Sequence, residues 1–318
     1  MHRRLLIPSL AGTTAALLIW TSGAATAAAP PLSNARTVAH FDLTTGQLPE
    51  NIALLPDGSA LLSFTGSRQI ARVTATGRTM ILATLPAGDS PANQPSIAGL
   101  VRASDGSVFV AYRSQDAALN GVWRVSPTGT VGRTAALPAG VALNGLAADP
   151  LRGTLYGTDS TQGTVWRIPL HSGAPEIWSS APELRPGTSP TSYGFGANGV
   201  KVHQGAVWVS NSDTGTLLRL PVHPGGSAGP VEVRATGLDG VDDFSFVGSS
   251  DTVLAALNSH NEVALVQPDG RRSTVLTAED GLRTPTATAV RGGTVYVTSA
   301  AYFVQQDPNL LLADIDVS

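Results

Sequence analysis

The chain has 318 residues, of which 42% are hydrophobic and 14% charged, and its formal net charge is −3. This composition supports a large core in one or two domains, and the weakly acidic balance argues against nucleic acid or an anionic membrane as a partner. The chain has no cysteine, which excludes disulfides, thiol catalysis and cysteine-ligated zinc.

The first 29 residues have the features of an export signal. His2, Arg3 and Arg4 form a basic start, an apolar run follows, and small residues of the A-x-A type occupy positions 25 to 29. Two arginines before two leucines leave both the Sec and the twin-arginine routes open. The apolar run is short for a membrane span and nothing later approaches one, so we expect cleavage and a secreted or extracytoplasmic protein. Cleavage removes two arginines and no acidic residue, so the net charge becomes −5.

Residues 30 to 318 repeat one β pattern six times. In each unit a short strand precedes a Gly-containing turn, a second strand, a polar loop and a third strand, as in "QGAVWVSNSDTGTLLRL". Polarity alternates with period two, and Val, Tyr, Trp and Thr are frequent, which indicates strands. The units start at positions 50, 98, 144, 198, 242 and 286. Six such units predict a single all-β domain, a six-bladed β-propeller with four-stranded blades.

The sixth unit has no room for a clear fourth strand. Residues 36 to 43, "RTVAHFDL", precede the first unit and alternate in polarity. We expect this N-terminal segment to supply the missing strand and close the ring, because closure removes an exposed sheet edge.

The stretch "YGFGANGVKV", residues 193 to 202, contains the G-x-G-x-x-G letters of a dinucleotide-binding fingerprint. That fingerprint needs a helix after its glycines, whereas the segments that follow here have the pattern of strands. No nucleotide cofactor is therefore predicted. The glycines are interpreted as allowing a tight turn into an inner strand.

Side chains with a carboxylate or amide oxygen begin four of the six units. Inner strands of a propeller line a central channel, so equivalent positions should meet at its mouth. The six first residues are Glu50, Ala98, Asn144, Asn198, Asp242 and Thr286. Carboxylate and amide oxygens suit a hard divalent cation, Ca²⁺ above all, and the absence of sulfur and histidine disfavours zinc. Turn chemistry is the alternative for each asparagine, but it leaves Glu50 unexplained.

This arrangement resembles the senescence marker protein/gluconolactonase family and the wider calcium-dependent phosphotriesterase-type propellers. The stretches that carry the resemblance are "PENIAL", "LNGLAADP", "GANGVKV" and "GVDDFSF". It implies one catalytic Ca²⁺, or another divalent ion such as Mg²⁺, Mn²⁺ or Zn²⁺, held by Glu50, Asn144, Asn198 and Asp242. It also implies that the aspartate or a neighbour acts as base or nucleophile, so Asp242 and Asp243 are the catalytic candidates.

The chain departs from the family pattern at two of these stretches. Asn51 and Ile52 stand where Gly-Pro is usual, and Asp242 precedes Asp243 instead of glycine. Alternation equates Asp242 with Asn198 and aims Asp243 away from the ion. The family implies an exported metal-dependent lactone or ester hydrolase acting on a small molecule. The same stretches also resemble a natural-product branch, so a non-hydrolytic cyclase of the pericyclase type is an alternative, as is a non-catalytic binding propeller with structural calcium.

Loops that follow the second strand of each unit should share the channel mouth with the unit heads. The substrate-binding candidates from these loops are Arg113, Asp159, Asn211 and Tyr302. The widest spacing between units precedes Asn198 and is filled by "APELRPGTSPTSYGFGA", where a lid would lie. Tyr193 and Phe195 in this insertion are the candidates for apolar contacts with the substrate.

Overall fold

The computed structural model describes residues 32–315 except 90–93, 172 and 191, so the predicted export signal lies outside the described residues. The described residues form 24 strands in six four-stranded antiparallel sheets, together with short 3₁₀ turns. No helix in these ranges is long and apolar enough to cross a membrane. The six-bladed β-propeller predicted from the repeats is confirmed.

The sheets are the blades, and each of the first five uses four consecutive strands. In chain order the strands are β1 (Leu32–His40); β2 (Pro49–Leu54), β3 (Ala60–Phe64), β4 (Gln69–Val73) and β5 (Thr79–Thr84) of blade one; β6 (Ser96–Arg102), β7 (Val108–Arg113), β8 (Gly121–Val125) and β9 (Val131–Ala136) of blade two; β10 (Leu143–Asp149), β11 (Thr154–Asp159), β12 (Thr164–Pro169) and β13 (Glu176–Ser179) of blade three; β14 (Ala197–His203), β15 (Ala206–Asn211), β16 (Thr216–Pro221) and β17 (Glu232–Ala235) of blade four; β18 (Val241–Phe246), β19 (Val253–Leu257), β20 (Glu262–Val266) and β21 (Arg272–Leu276) of blade five; and β22 (Pro285–Arg291), β23 (Thr294–Ser299) and β24 (Asn309–Ile315) of blade six.

The N-terminal strand closes the ring. β1 pairs with β24, with Leu32 opposite Ile315 and His40 opposite Asn309, and so becomes the outer strand of blade six. The predicted closing strand is therefore confirmed, although it begins earlier, at Leu32. Its pairing covers the edge that β24 would otherwise expose to solvent.

The hydrophobic core is divided among the faces between neighbouring blades. Six clusters of buried side chains lie one at each blade–blade interface, including the one that joins blade six to blade one. Between blades three and four, for example, Tyr156 and Val165 pack with Val200, Val207 and Leu218. Both faces of every sheet are covered by a neighbouring blade. Successive side chains of a strand therefore pack alternately into one interface and the other.

Each inner strand carries a β-bulge near its start. Pairing with the second strand shifts register in all six blades, for example between Ala197 and Val200 in β14 and between Val241 and Phe244 in β18. A bulge inserts an extra residue and re-aims the side chains beside it. The first residue of every repeat lies inside this bulge, which turns it away from the blade–blade core.

Gly194 has a φ of +80°, as the expected tight turn requires, whereas the glycines beside the two asparagines have a different role. A Cβ on Gly145 would lie 2.5 Å from Asn198 O, and one on Gly199 would lie 2.3 Å from Asp243 Oδ1. Glycine is therefore required because the inner strands approach closely here, not because the backbone adopts a positive φ. This close approach draws the bulges of blades three, four and five together around the channel.

Candidate functional site

A cavity of about 400 Å³ opens where the bulges of the inner strands meet. Its lining includes all four oxygen-bearing residues that begin units one, three, four and five, namely Glu50, Asn144, Asn198 and Asp242. Each of these four residues is 7–9% exposed. The structure thus brings the candidate metal ligands to one small, largely buried place.

Serine hydroxyls that directly follow the second strands fix the orientation of the two asparagine amides. Ser212 Oγ donates to Val241 O at 2.6 Å, so its oxygen must accept the hydrogen bond from Asn198 Nδ2 at 2.8 Å. Asn144 Nδ2 donates in the same way to Ser160 Oγ at 3.1 Å. Because the NH₂ group of each amide is used, its carbonyl oxygen is left to face the cavity.

Each of the two carboxylates receives one hydrogen bond from a neighbouring side chain. The Tyr302 hydroxyl donates to Glu50 Oε2, and Asn258 Nδ2 donates to Asp242 Oδ2 at 3.0 Å. Within the described ranges no hydrogen bond reaches the second oxygen of either carboxylate, or the carbonyl oxygen of either asparagine. Four oxygen atoms with unused lone pairs therefore share the cavity.

Burial raises the pKa of Glu50, an effect partly offset by the Arg113 guanidinium and the Tyr302 hydroxyl. Burial also raises the pKa of Asp242 well above its ordinary value, and the neighbouring charges of Glu50 and Asp243 add to it. Burying two like charges in one cavity is unfavourable unless a positive charge joins them.

The donor set fits a hard cation. It consists of two carboxylates and two amide carbonyls, the oxygen ligands that calcium takes, and it includes no sulfur or nitrogen donor. Among the described residues no group of three or more His, Asp or Glu side chains is placed to hold a metal ion. The amides are therefore essential to the set, and a second carboxylate-rich centre is not available in these ranges.

Arg113 is the one cationic side chain among the described residues that line the cavity. Its Nε donates to Ser96 Oγ at 3.2 Å, and a terminal nitrogen lies 3.5 Å from Thr65 Oγ1. No carboxylate of the described residues lies within 4.0 Å of the guanidinium. Its charge therefore remains available to a ligand.

Two of the predicted pocket residues, Asp159 and Asn211, do not line this cavity. Asp159 accepts hydrogen bonds from Thr161 and Gln162 in the turn that follows β11. Asn211 Nδ2 donates to the carbonyl oxygens of Glu183 and Arg185, and so anchors the insertion before blade four.

Asp159 and Asn211 miss the cavity because the prediction placed them one residue too early in the repeat. Asp159 pairs with Leu143 and Asn211 pairs with Ala197, a position that Tyr112 occupies in blade two. The true equivalents of Arg113 are the next residues along, which include the two serines that orient the asparagine amides. Successive side chains of a strand point to opposite faces, so a slip of one residue reverses the side-chain direction.

Asp243 also lies outside the cavity lining. Its carboxylate receives hydrogen bonds from Lys201 Nζ at 2.7 and 2.5 Å, from Asn51 Nδ2 at 2.7 Å and from the Phe244 amide at 2.8 Å. The structure therefore separates the two catalytic candidates: Asp242 faces the cavity and Asp243 is held in an ion pair beside the channel.

The other predicted substrate contacts, Tyr193, Phe195 and Tyr302, line the cavity together with Phe303, which the sequence reasoning missed. Asp213 holds the insertion in place, because its carboxylate accepts hydrogen bonds from the amides of Tyr193 at 2.9 Å and Gly194 at 3.1 Å. Asn258 was also missed, although it occupies the same repeat position as Arg113 and could have been found from that equivalence.

Residues 60–237 match the model of a family described as "Repeat of unknown function (DUF6923)". The match covers more than half of the chain, and the chain belongs to this family. No curated protein matches it by sequence.

Solved structures with a similar fold cover almost the whole propeller. A gluconolactonase from Xanthomonas campestris is 13% identical with a TM-score of 0.67, over 91% of this chain and 96% of that one. A calcium-binding regucalcin from Agrobacterium tumefaciens is 18% identical with a TM-score of 0.66, over 89% and 94%. A virginiamycin B lyase from Staphylococcus aureus is 13% identical with a TM-score of 0.58, over 89% and 99%. At these identities the likeness establishes the fold, and it agrees with the resemblance noted from the sequence.

Proposed function

We propose that this protein is an exported, metal-dependent hydrolase that cleaves a lactone or ester bond in a small molecule. The observation that carries the proposal is the set of four unpartnered oxygen atoms, one each on Glu50, Asn144, Asn198 and Asp242, at one cavity. The gluconolactonase and the calcium-binding regucalcin share the fold, and they support the proposal at that level.

The two carboxylates and two amides would hold the cation, Ca²⁺ in preference to Mg²⁺, Mn²⁺ or Zn²⁺. When bound, it would polarise the carbonyl oxygen of the substrate as a Lewis acid. Glu50 and Asp242 supply the negative charge of the set, and the amides complete it without adding charge.

We assign Asp242 as the general base. Asn258 donates to its Oδ2, which keeps a second lone pair for a proton while Oδ1 faces the cation. Asp242 takes a proton from water while the water oxygen forms a bond to the acyl carbon of the substrate and the carbonyl π electrons move onto the acyl oxygen. The acyl C–O bond then breaks, and the proton passes to the leaving alkoxide oxygen. Arg113 would stabilise the negative charge that builds on the acyl oxygen.

A lyase reaction has less support. The virginiamycin B lyase structure is that of a catalytically inactive variant in which a histidine is replaced by alanine. Among the described residues that line the cavity of the present protein there is no histidine.

Export is proposed from the basic, apolar and small-residue segments of positions 1–29. The N-terminal sequence of protein recovered outside the cytoplasm tests it. A mature chain that begins near residue 30 is expected, and recovery of the full-length chain in the cytoplasm would contradict it.

Chelator-treated protein comprising residues 30–318 tests the catalytic proposal. Calorimetric titration with Ca²⁺ should reveal one site, and the Tm should rise because the cation binds only the folded state. Acid release from a panel of lactones and esters should require the cation. Unchanged Tm and turnover after exhaustive chelation would contradict the metal site. Cation binding without hydrolysis of any panel member would contradict the hydrolase and favour a cyclase or a binding propeller.

A further inference from the structure

Exposed aromatic side chains are concentrated at the mouth of the cavity. Tyr193 is 63% exposed, Phe303 57% and Phe195 41%. The large hydrophobic side chains exposed elsewhere in the described ranges, such as Leu151 and Ile177, are aliphatic. A concentration of exposed apolar surface at one concave place indicates a binding site.

The aromatic mouth, defined as Tyr193, Phe195 and Phe303, is built from two sides of the ring. Tyr193 lies in the connection between β13 and β14, and Phe303 lies between β23 and β24. Their ring centroids are 6.2 Å apart with an interplanar angle of 31°. Side-chain oxygens hold both segments: the Tyr193 backbone amide donates to Asp213 Oδ1 at 2.9 Å, and the Phe303 backbone amide donates to Thr284 Oγ1 at 3.3 Å.

Many of the polar groups deeper in the cavity already donate hydrogen bonds to other groups of the protein. The hydroxyl of Thr65 donates to Ile97 O, and that of Ser212 donates to Val241 O. The amide groups of both asparagine ligands also donate within the protein. With the four free oxygens holding the cation of the proposed function, the hydroxyl groups of a polyhydroxylated substrate would lose hydrogen bonds to water and find few partners besides Arg113.

We propose that the substrate carries an aryl or extended alkyl group that lies in the aromatic mouth, beside the ester or lactone bond that faces the four oxygens. This inference rests on the proposed function, because it assigns the substrate class of the same site. A bare lactone ring fills only a small part of a cavity of about 400 Å³, which leaves room for an apolar substituent against the aromatic rings. Sugar lactones are the poorer substrates.

A series of γ-lactones that differ only in the γ substituent tests the inference. Between methyl and hexyl or phenethyl, kcat/KM should rise by about fourfold for each methylene buried. Glucono-1,5-lactone should be cleaved less efficiently than the phenethyl lactone. Phe303→Ala and Tyr193→Ala should flatten the dependence on the substituent, and both rings are surface-exposed, so the variants should fold. Ile177→Ala is the matched control, because this exposed residue lies in β13 and does not line the cavity.

The matching γ-lactams give a readout that does not depend on turnover. Calorimetry should detect tighter binding of the phenethyl than of the methyl lactam, and Phe303→Ala should remove the difference. Selective lactam binding without lactone hydrolysis would overturn the proposed function and leave the apolar recognition standing. Hydrolysis with no dependence on the substituent, and no effect of the two variants, would overturn the inference and leave the function standing. If neither hydrolysis nor selective binding is found, both are wrong.

Discussion

Lys201 Nζ lies 2.7 Å from Asp243 Oδ1 and 2.5 Å from Asp243 Oδ2. Lys201 is the single lysine of the chain, and it reaches this carboxylate from the inner strand of the neighbouring blade. The Asp243 side chain is 4% exposed, and Asn51 also donates to it. The ion pair compensates one of the three buried carboxylates around the channel, so that the negative charge facing the cavity comes from Glu50 and Asp242.

Lys201→Met should destabilise the protein strongly. It removes the positive partner and leaves the Asp243 charge buried, which costs about 3 kcal/mol of unfolding free energy. Urea denaturation followed by tryptophan fluorescence measures the loss. The double variant Lys201→Met, Asp243→Asn should recover much of the stability because no unpaired charge remains.

Arg271→Met is the matched control for this pair. Its partner Asp269 is exposed and the Arg271 side chain is 82% exposed, so solvent screens the interaction and the midpoint should not move. Equal midpoints for the two single variants would contradict the buried ion pair.

Gly199→Ala should disrupt the channel. The added Cβ would lie 2.3 Å from Asp243 Oδ1 and 2.7 Å from its Cα, so neighbouring backbone must move, at a cost of at least about 2 kcal/mol. Gly132→Ala, in the outer strand β9, meets nothing within 4 Å and should change the unfolding midpoint little. If both variants unfold alike, the close approach of the inner strands is wrong.

Asp242→Asn and Glu50→Gln should show which carboxylate acts as the general base and which acts mainly as a cation ligand. Asp242→Asn keeps an oxygen donor but removes a charge and the base, so it should abolish turnover and weaken Ca²⁺ binding only in part. Glu50→Gln should mainly weaken Ca²⁺ binding, measured by calorimetry. Asp243→Asn should leave the lactone reaction measurable because its carboxylate does not face the cavity. A dead Asp243→Asn beside an active Asp242→Asn would reverse the assignment.

Ser212→Ala should lower cation affinity by about tenfold, because the Asn198 amide loses the hydroxyl that orients it. Ser63→Ala is the control: Ser63 Oγ also donates to a carbonyl of the next blade, that of Ala98, but it accepts from the Asn51 backbone amide and orients no ligand side chain. Both variants should lose about 1 kcal/mol of stability from the unpaired carbonyl. Cation affinity that falls equally in both would assign the serine a general structural role.

The fold could be predicted from the sequence because period-two polarity repeats in six units, a pattern with few structural solutions. The residues at the start of each unit could also be predicted, since the same position recurs in every repeat. Asp159 and Asn211 were assigned one residue away from the cavity-facing position because the turn between the first two strands differs in length, spanning 103–107 in blade two, 150–153 in blade three and 204–205 in blade four. Phe303 lies in the connection between β23 and β24, residues 300–308, which is longer than its counterparts in the other blades, such as residues 65–68, so no repeat position marked it.

The pairing of β1 with β24 has a consequence for how the chain acquires its structure. Leu32 meets Ile315 and His40 meets Asn309, contacts that join the two ends of the described chain. A ribosome must therefore complete almost the entire polypeptide before the first strand has its partner, and contacts so distant along the chain slow folding. A nascent chain halted before Asn309 would expose the edges of both blade six and the N-terminal segment to aggregation.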